Sequence, residues 1–454
     1  MSDANTAAQR AAAASAMTAS AAANGGTDYR ALVILFMSGG NDAHETIVNT
    51  NPGEFGKYTA GRTPLDHPLS YFLTMTGGMA AYKMHANMPG VTGLLNTPRA
   101  AVVANVGTLL QPLTRAQFIA DATGTRVLTP LQLQSHNSQQ LEWFTNDVRL
   151  SFASTGTFGR AADLIVPAFQ STATLPMITT LNRSVTIGDG FERLQYQSTP
   201  QGPVALNKAP FFAAATDALV RTLATDSGRT NLLERELVKK ATSALGNYAG
   251  LSAALTAVGA PATVFPTSNI GQQLRMAAWQ IKARAQAAIG PRRRDVFYVD
   301  TAPDGPFDTH QSIAGHATML GIVDAAIKAF SDEMLLQGAA TDNAVTLMTA
   351  SDFGRSLVPN SGGTDHAWGG HHFVIGGSVV GNQVYGTWPD LTLGGPDDAY
   401  SSGVLIPTTS VDTYWATALK WLGIPDAVLN GVNPIELCIP RLSNFPTRRL
   451  GFLP

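Results

Sequence analysis

Cysteine is nearly absent from this sequence: Cys438 is the one cysteine among 454 residues. A lone cysteine forms no internal disulfide and builds no thiolate metal cluster; it reads as a small buried apolar residue rather than a nucleophile. The count fits either redox compartment. Charge is scarce too, at 14% of residues with a formal net charge of -2. No strongly basic face is implied, which argues against nucleic acid as a partner. No run of about 18 apolar residues occurs, so no membrane span is expected. Internal repeats are absent. The first 27 residues hold mostly Ala, Ser and Thr, with Arg10 the only basic residue before Arg30 and no twin arginine. An export signal needs a basic start and a strongly apolar stretch. This stretch reads instead as a mobile tail, helical in part, or as a degenerate or trimmed leader, ahead of one domain over residues 28–454.

What the chain does hold is apolar bulk, 44% of residues, which is ample for a large core. Its 43 glycines and 26 prolines point to many turns and long connections. Residues 31–37 are a continuous apolar run that stops at Ser38-Gly39-Gly40-Asn41-Asp42. Such a run, bounded by glycines, is the pattern of a strand buried on both faces of a parallel sheet. Residues 101–107, 296–300 and 345–350 read the same way, and residues 372–377 read as another short strand. Helical patterning lies between them at 88–95, 211–256, 269–288, 312–336 and 411–422. The alternation predicts the α/β class: a three-layer sandwich with a central, mainly parallel sheet. The helical stretch at about 205–290 is expected to form a cap or helical layer. Sheets of this kind place ligands beyond the carboxyl ends of their strands.

Five polar clusters stand out. In Ser38-Gly39-Gly40-Asn41-Asp42, followed by His44 and Glu45, the glycines allow a sharp turn, and Asp42 either binds a cation or caps a helix. In Ser135-His136-Asn137-Ser138-Gln139-Gln140, Ser135 is placed as a helix N-cap. A helix start favours anions, and a serine there is either a plain cap or a nucleophile activated by a metal or base. Asp308 and His310 lie two apart and face the same way in extended chain. They can ligate one metal, or pair as a histidine with its orienting carboxylate, unless they are a surface pair. Asp352 directly follows a buried run, with Arg355 three residues on. That arginine either clamps a phosphate or sulfate or pairs with the aspartate to shape the loop. The densest cluster spans residues 362–372, where His366, His371 and His372, three of the nine histidines, fall within seven residues beside Asp365 and four glycines. Histidine is the commonest metal ligand among side chains. His371 and His372 point apart if extended, so one of them is expected to face the site. His316 reads as structural, and His67 and His85, near turns, receive no role.

Taken together, these motifs resemble the bacterial domain-of-unknown-function family 1501, within the alkaline-phosphatase-like superfamily. The pieces are Ser38–Asp42, Ser135–Gln140, Phe307–His310, Ser351–Arg355, Gly363–Val374, Val384-Tyr385-Gly386 with Trp388-Pro389, and the closing Leu450–Leu453. They run in order from about Tyr29 to the C-terminus. The resemblance implies an alkaline-phosphatase-like fold with one or two divalent metals at strand ends, and hydrolysis or transfer of phosphate or sulfate esters. By position, Asp42 resembles the first metal-binding carboxylate, and Ser135, beside His136, occupies the nucleophile slot. Asp308 and His310 resemble the ligands of one metal, Asp352 the later strand-end carboxylate, and His366 or His372 the final histidine. The superfamily usually has His or Asn after that carboxylate, and Phe353 stands there instead. Either the Asp365-His366 pair replaces it or one metal site is lost.

The expectation is a metal-dependent hydrolase of a small anionic ester or an anionic polymer. Ser135 or water would be the nucleophile, with Arg355 and the helix start stabilising anionic oxygens. Mixed histidine and carboxylate ligands favour Zn or Mn, with Ca or Mg left open. The alternative is a non-catalytic binding or assembly protein with a degenerate site, for which Phe353 is the motive. The resemblance implies a periplasmic or extracellular location; without a clear signal peptide, a cytoplasmic one stays open. The sequence leaves the oligomeric state open.

Overall fold

The apolar run before Ser38 forms β1, Arg30–Met37, the central strand of a 10-stranded sheet. Strand geometry alternates its side chains between two faces. Ala31, Val33, Leu35 and Met37 enter one core and Leu32, Ile34 and Phe36 the other. Both faces are covered, so the run carries no polar residue. The structure is a computed structural model, and it describes residues 7–23, 28–123, 127–147, 155–204, 222, 225–226, 228, 230–428 and 431–454.

The other principal strands are β2 (Ala100–Gly107), β3 (Ile178–Thr180), β4 (Arg294–Asp300), β5 (Val345–Ser351) and β6 (Gly370–Gly376). Across the sheet the order is Val384–Tyr385, β2, β6, β5, β1, β4, β3, Tyr196–Thr199, Gly202–Pro203, with Thr409–Ser410 also pairing with β2. β1 is parallel to β4 and β5, and β4 is parallel to β3. The sheet is mixed and mostly parallel. β6 runs antiparallel to both neighbours, β5 and β2. Its direction follows from its connection: residues 352–369 join β5 to β6 without a crossover helix, so the chain returns antiparallel.

Helices cover both faces. On one side lie α4 (Asn269–Ala283) and α5 (Ile313–Leu336), contributing Leu274, Ile281, Leu320, Val323 and Ile327. On the other are α2 (His136–Thr145), α3 (Thr157–Phe169) and α6 (Val411–Trp421), contributing Trp143, Phe158, Ile165, Tyr414 and Trp415. The layers are those of the expected α/β sandwich. α5 is long and apolar enough to cross a membrane by length and composition, but half of its most apolar window is buried as sheet-covering core.

The leading stretch, read as a mobile tail with some helix, holds a helix over Ala7–Ala23, α1, which lies against α3 and buries Ala13 and Met17. Residues 1–6 and 24–27 of that stretch lie outside the described residues. Of the helical segment expected at about 205–290, residues 205–221, 223–224, 227 and 229 also lie outside them, and Leu232–Val258 and α4 are its described helices.

The sheet register decides which residues meet. Met37 is level with Ser351, and Phe36 with Asp300. The loops leaving β1, β4 and β5 therefore start side by side at one edge.

A candidate metal centre at the carboxyl edge

The turn after β1 is built around two glycines with left-handed backbone, Gly39 at φ 110° and Gly40 at φ 93°. A Cβ on Gly39 would lie 2.5 Å from the Asp308 amide nitrogen and 2.6 Å from that of Phe307. Only glycine lets the loop after β4 pack that closely, with Phe307 N–H donating to the Ser38 carbonyl at 2.7 Å. Asp352, fully buried at the end of β5, accepts from Gly39 N–H at 3.2 Å.

Arg355 fastens these loops from beneath. Its guanidinium donates to the carbonyls of Gly40 (3.1 Å), Thr364 (2.9 Å), Gly39 (2.6 Å) and Phe307 (3.1 Å), and to Asp308 Oδ1. The side chain is 0% exposed. The expected role for Arg355, clamping a substrate anion, is therefore corrected: its donors are engaged by the protein and its fork is closed to solvent.

On this platform three imidazoles converge on Asp308. Each has its Nδ1 facing an acceptor. His366 Nδ1 donates to the Gln134 carbonyl (2.7 Å), His310 Nδ1 to Asp365 Oδ1 (3.2 Å), and His136 Nδ1 to Asp352 Oδ2. A neutral ring with its proton on Nδ1 presents a bare lone pair at Nε2. The Nε2 atoms of His310 and His366 are 2.9 Å apart, and they lie 3.0 and 3.1 Å from Asp308 Oδ1. His136 Nε2 lies 3.6 Å from Asp308 Oδ2. Burial opposes the charge on Asp308, but the adjoining Arg355 guanidinium holds its carboxyl down to about 2. Burial also lowers the His366 pKa, which disfavours a second proton between the rings. Lone pairs facing a carboxylate at 3 Å repel one another unless a cation stands among them. The donor set, imidazole nitrogen with carboxylate oxygen and each imidazole oriented by an outer acceptor, is the chemistry of a Zn- or Mn-type site. A grouping of His136, Asp308 and His366 within 4.8 Å overlaps it. The tighter Asp308, His310 and His366 face is better matched to metal–ligand bonds of about 2 Å.

The structure distributes the other sequence candidates around this face. Asp365 is 60% exposed, and besides His310 it holds the Asn360 amide (2.6 Å). Asp352 sits behind His136 as its hydrogen-bond partner, and that bond raises the pKa of His136. Ser135 precedes α2 and makes no side-chain cap bond. Asp42 does not join the cluster. Its two oxygens accept from Arg62 Nη2 at 2.8 and 2.9 Å, and it caps the turn at His44 and Glu45. A carboxylate so occupied is a structural cap, which corrects the metal-ligand expectation. His372 is corrected too: it is buried in β6 against Trp143, with Nδ1 3.4 Å from Thr349 Oγ1. Phe353 packs its ring 4.8 Å from that of His136 and 4.5 Å from that of His366. Cys438 is buried, which pushes its thiol up to about 12, so it stays an unreactive thiol.

Sequence reasoning passed over one further group. Glu45, His67 and His85 offer ligand atoms within 4.8 Å of one another. Here the polarity is reversed, because His85 Nδ1 accepts from Asn87 N–H at 3.0 Å. The neutral ring then carries its proton on Nε2, beside the Tyr71 hydroxyl at 2.8 Å, and offers no lone pair toward Glu45. The pattern that separates the two clusters is the acceptor at Nδ1, which comes from chain segments far away in sequence.

A family model described as "Protein of unknown function (DUF1501)" matches residues 253–424. The resemblance read from the motifs is shown over that stretch, which holds Asp308, His310, Asp352 and His366. No curated protein matches the sequence. Among solved structures the chain is similar to PsFucS1 sulfatase from Pseudoalteromonas sp., at 10% identity over 94% of this chain and 73% of that one, TM-score 0.35. It is also similar to Ps i-CgsB in complex with k-i-k-neocarrahexaose, at 10% identity over 91% and 77%, TM-score 0.34. A third is the lipoteichoic acid synthase LtaP from Listeria monocytogenes, at 8% identity over 90% and 76%, TM-score 0.32.

Proposed function

We propose that this chain is a metal-dependent hydrolase of phosphate or sulfate esters, with one divalent cation held by Asp308, His310 and His366. The supporting observation is the pair of Nε2 atoms 2.9 Å apart, both with Nδ1 committed to an acceptor and both beside one carboxylate oxygen. A cation bound there supplies Lewis acidity toward an ester oxygen and toward water. The chain's own residues do the rest. Asp352 fixes the His136 ring so that Nε2 is turned toward Asp308. Ser135, whose hydroxyl is not spent on capping, stands between Gln134 and His136, the two residues tied to the cluster. Zn or Mn suits this donor set. The family resemblance carries with it a periplasmic or extracellular location.

The test is metal analysis of the purified chain together with hydrolysis of aryl phosphates and aryl sulfates. About one Zn or Mn per chain and turnover that disappears in Asp308→Ala support the reading. A metal-loaded protein that cleaves neither ester class refutes it. Phe353 favours a second reading, a binding or assembly protein, because its ring packs against both His136 and His366 and offers no ligand atom. Metal content without turnover, joined to tight retention of an anionic polymer, is the result that reading expects.

A further inference from the structure

The strand ends carry a second feature that the metal cluster does not use. Asp300 closes β4, and its side chain is fully buried. Its Oδ1 accepts from Ser38 Oγ at 2.7 Å and from Ala302 N–H at 2.8 Å. Its Oδ2 is approached by Arg183 Nε and Nη2, both at 2.9 Å. Arg183 comes from the loop just past β3, where Leu181 N–H still bonds to the Tyr298 carbonyl. The arginine is therefore gripped on one side by a rigid, buried acid. Its side chain is 45% exposed, and its contacts with Asp300 use Nε and Nη2 rather than Nη1.

The position is informative. Asp352, Ser38, Asp300 and Arg183 stand at the ends of four successive strands, β5, β1, β4 and β3, along one edge of the sheet. Ser38 binds Asp300, Gly39 binds Asp352, and Asp352 binds His136, so one hydrogen-bonded row runs from Arg183 to the cluster. At about 4.8 Å per strand, the row spans roughly 14 Å. Arg355 is sealed, and Arg115 turns to the Asp398 carbonyl at 2.7 Å. Arg183 is fixed to a strand-end acid and is partly open to solvent.

We infer that Arg183 is an anion subsite for a tetrahedral oxyanion carried by an oligomeric polyanion, at the same edge of the sheet as the ester that reacts. The inference rests on the hydrolase reading for the role of the reacting ester, while binding at Arg183 stands without it. A guanidinium held by one edge presents the other as a planar donor pair suited to sulfate or phosphate oxygens. Pre-fixing by Asp300 removes much of the ordering cost that a free arginine would meet on binding.

The test is direct binding, by fluorescence anisotropy at low salt, of labelled dextran sulfate and of labelled long-chain polyphosphate to the full chain and to Arg183→Gln and Arg183→Lys. Loss of one charge-assisted contact predicts roughly tenfold weaker binding for Arg183→Gln and a smaller loss for Arg183→Lys. The polymer whose affinity falls names the oxyanion. Circular dichroism and thermal melting establish that each variant is folded. If a folded Arg183→Gln binds both polymers as the parent does, or if the parent binds neither, the subsite is wrong. Polyanion binding that depends on Arg183 in a chain that hydrolyses no ester would refute the hydrolase reading and leave the subsite intact.

Discussion

The Nε2 atoms of His310 and His366 lie 2.9 Å apart while both rings give their Nδ1 protons to outside acceptors. Two imidazoles arranged in this way are organised for a third party, and Asp308, 3.0 and 3.1 Å from the two nitrogens, defines its charge. Replacing Asp308 with Asn or His366 with Ala removes a proposed ligand directly. Metal content should fall from about one per chain to background, and the rise in melting temperature on adding Zn or Mn should vanish. Metal retained at the parent level in both variants would place the cation elsewhere.

The outer acceptors should matter less, and unequally. Such partners typically contribute 10- to 100-fold in metal affinity. Asp365 is 60% exposed, so water can replace it at His310 Nδ1, and Asp365→Asn should fall at the low end. Asp352 is buried at His136, and Asp352→Asn should reduce ester turnover more than Asp365→Asn does. Competition with a calibrated chelator measures the first effect and steady-state kinetics the second. Equal effects in both would contradict the geometry.

Much of the fold was legible because burial on both faces leaves an unmistakable mark: β1 is seven buried apolar residues ending in a glycine turn. The convergence of Asp308, His310 and His366 was legible because their residue types are concentrated near strand ends. The fates of Asp42 and Arg355 were not, since each depends on partners brought by tertiary packing, Arg62 for the first and four loop carbonyls for the second. His372 was misjudged for a register reason. The pairing of β6 with β2 shifts between Gly370 and His372, and both His371 and His372 end buried. The α1 helix was obscure because an alanine-rich run has little apolar contrast, and its burial of Ala13 and Met17 needs α3 to be present.

Arg62→Met should destabilise the protein strongly. Burial alone would raise the Asp42 pKa, and the Arg62 guanidinium overcomes this and holds it below its ordinary value. Removing one member of a fully buried pair typically costs about 3–5 kcal/mol. In the parent, the Asp42 contribution is present above the unfolded carboxyl pKa and is lost as pH falls through the lower folded value. In Arg62→Met that dependence should weaken or reverse. Urea melts at several pH values between 3 and 7 would show it, and an unchanged midpoint at pH 7 would dismiss the pair as a stabilising element.

Mild acid should unfold the chain before most carboxylates titrate. Burial lowers His44 and His85 to about 4, and His316 and His372 to about 3. Histidines in the unfolded chain take up protons near pH 6.5. Between that value and about 4 the unfolded state holds more protons, so stability falls as pH falls, by up to about 1.4 kcal/mol per pH unit for each histidine. Burial also lowers His371 well below its ordinary value, so up to five protons should be taken up on unfolding near pH 5. The slope of unfolding free energy against pH reads this number directly, and a flat profile from pH 7 to 5 would show that these rings are not buried as neutral groups.

Gly39→Ala isolates the turn from the ligands. At φ 110° an alanine is strained by roughly 1–3 kcal/mol even in open space. Here its Cβ would lie 2.5 Å from the Asp308 nitrogen and 2.6 Å from the Phe307 nitrogen. Both obstacles are backbone, so no side chain can swing aside. The loop carrying Asp308 must move away from the turn, while His366 stays tied to Gln134 and Arg355 keeps its grip on Thr364. The three donors then lose their common spacing although every ligand is still present. The variant should fold, melt several degrees lower and bind metal at least tenfold more weakly than the parent, consistent with the sensitivity of such sites to their supporting groups. Parent-like metal affinity in Gly39→Ala would mean that the loops after β1 and β4 are not rigidly coupled, and that the spacing around Asp308 is set by the histidine loops alone.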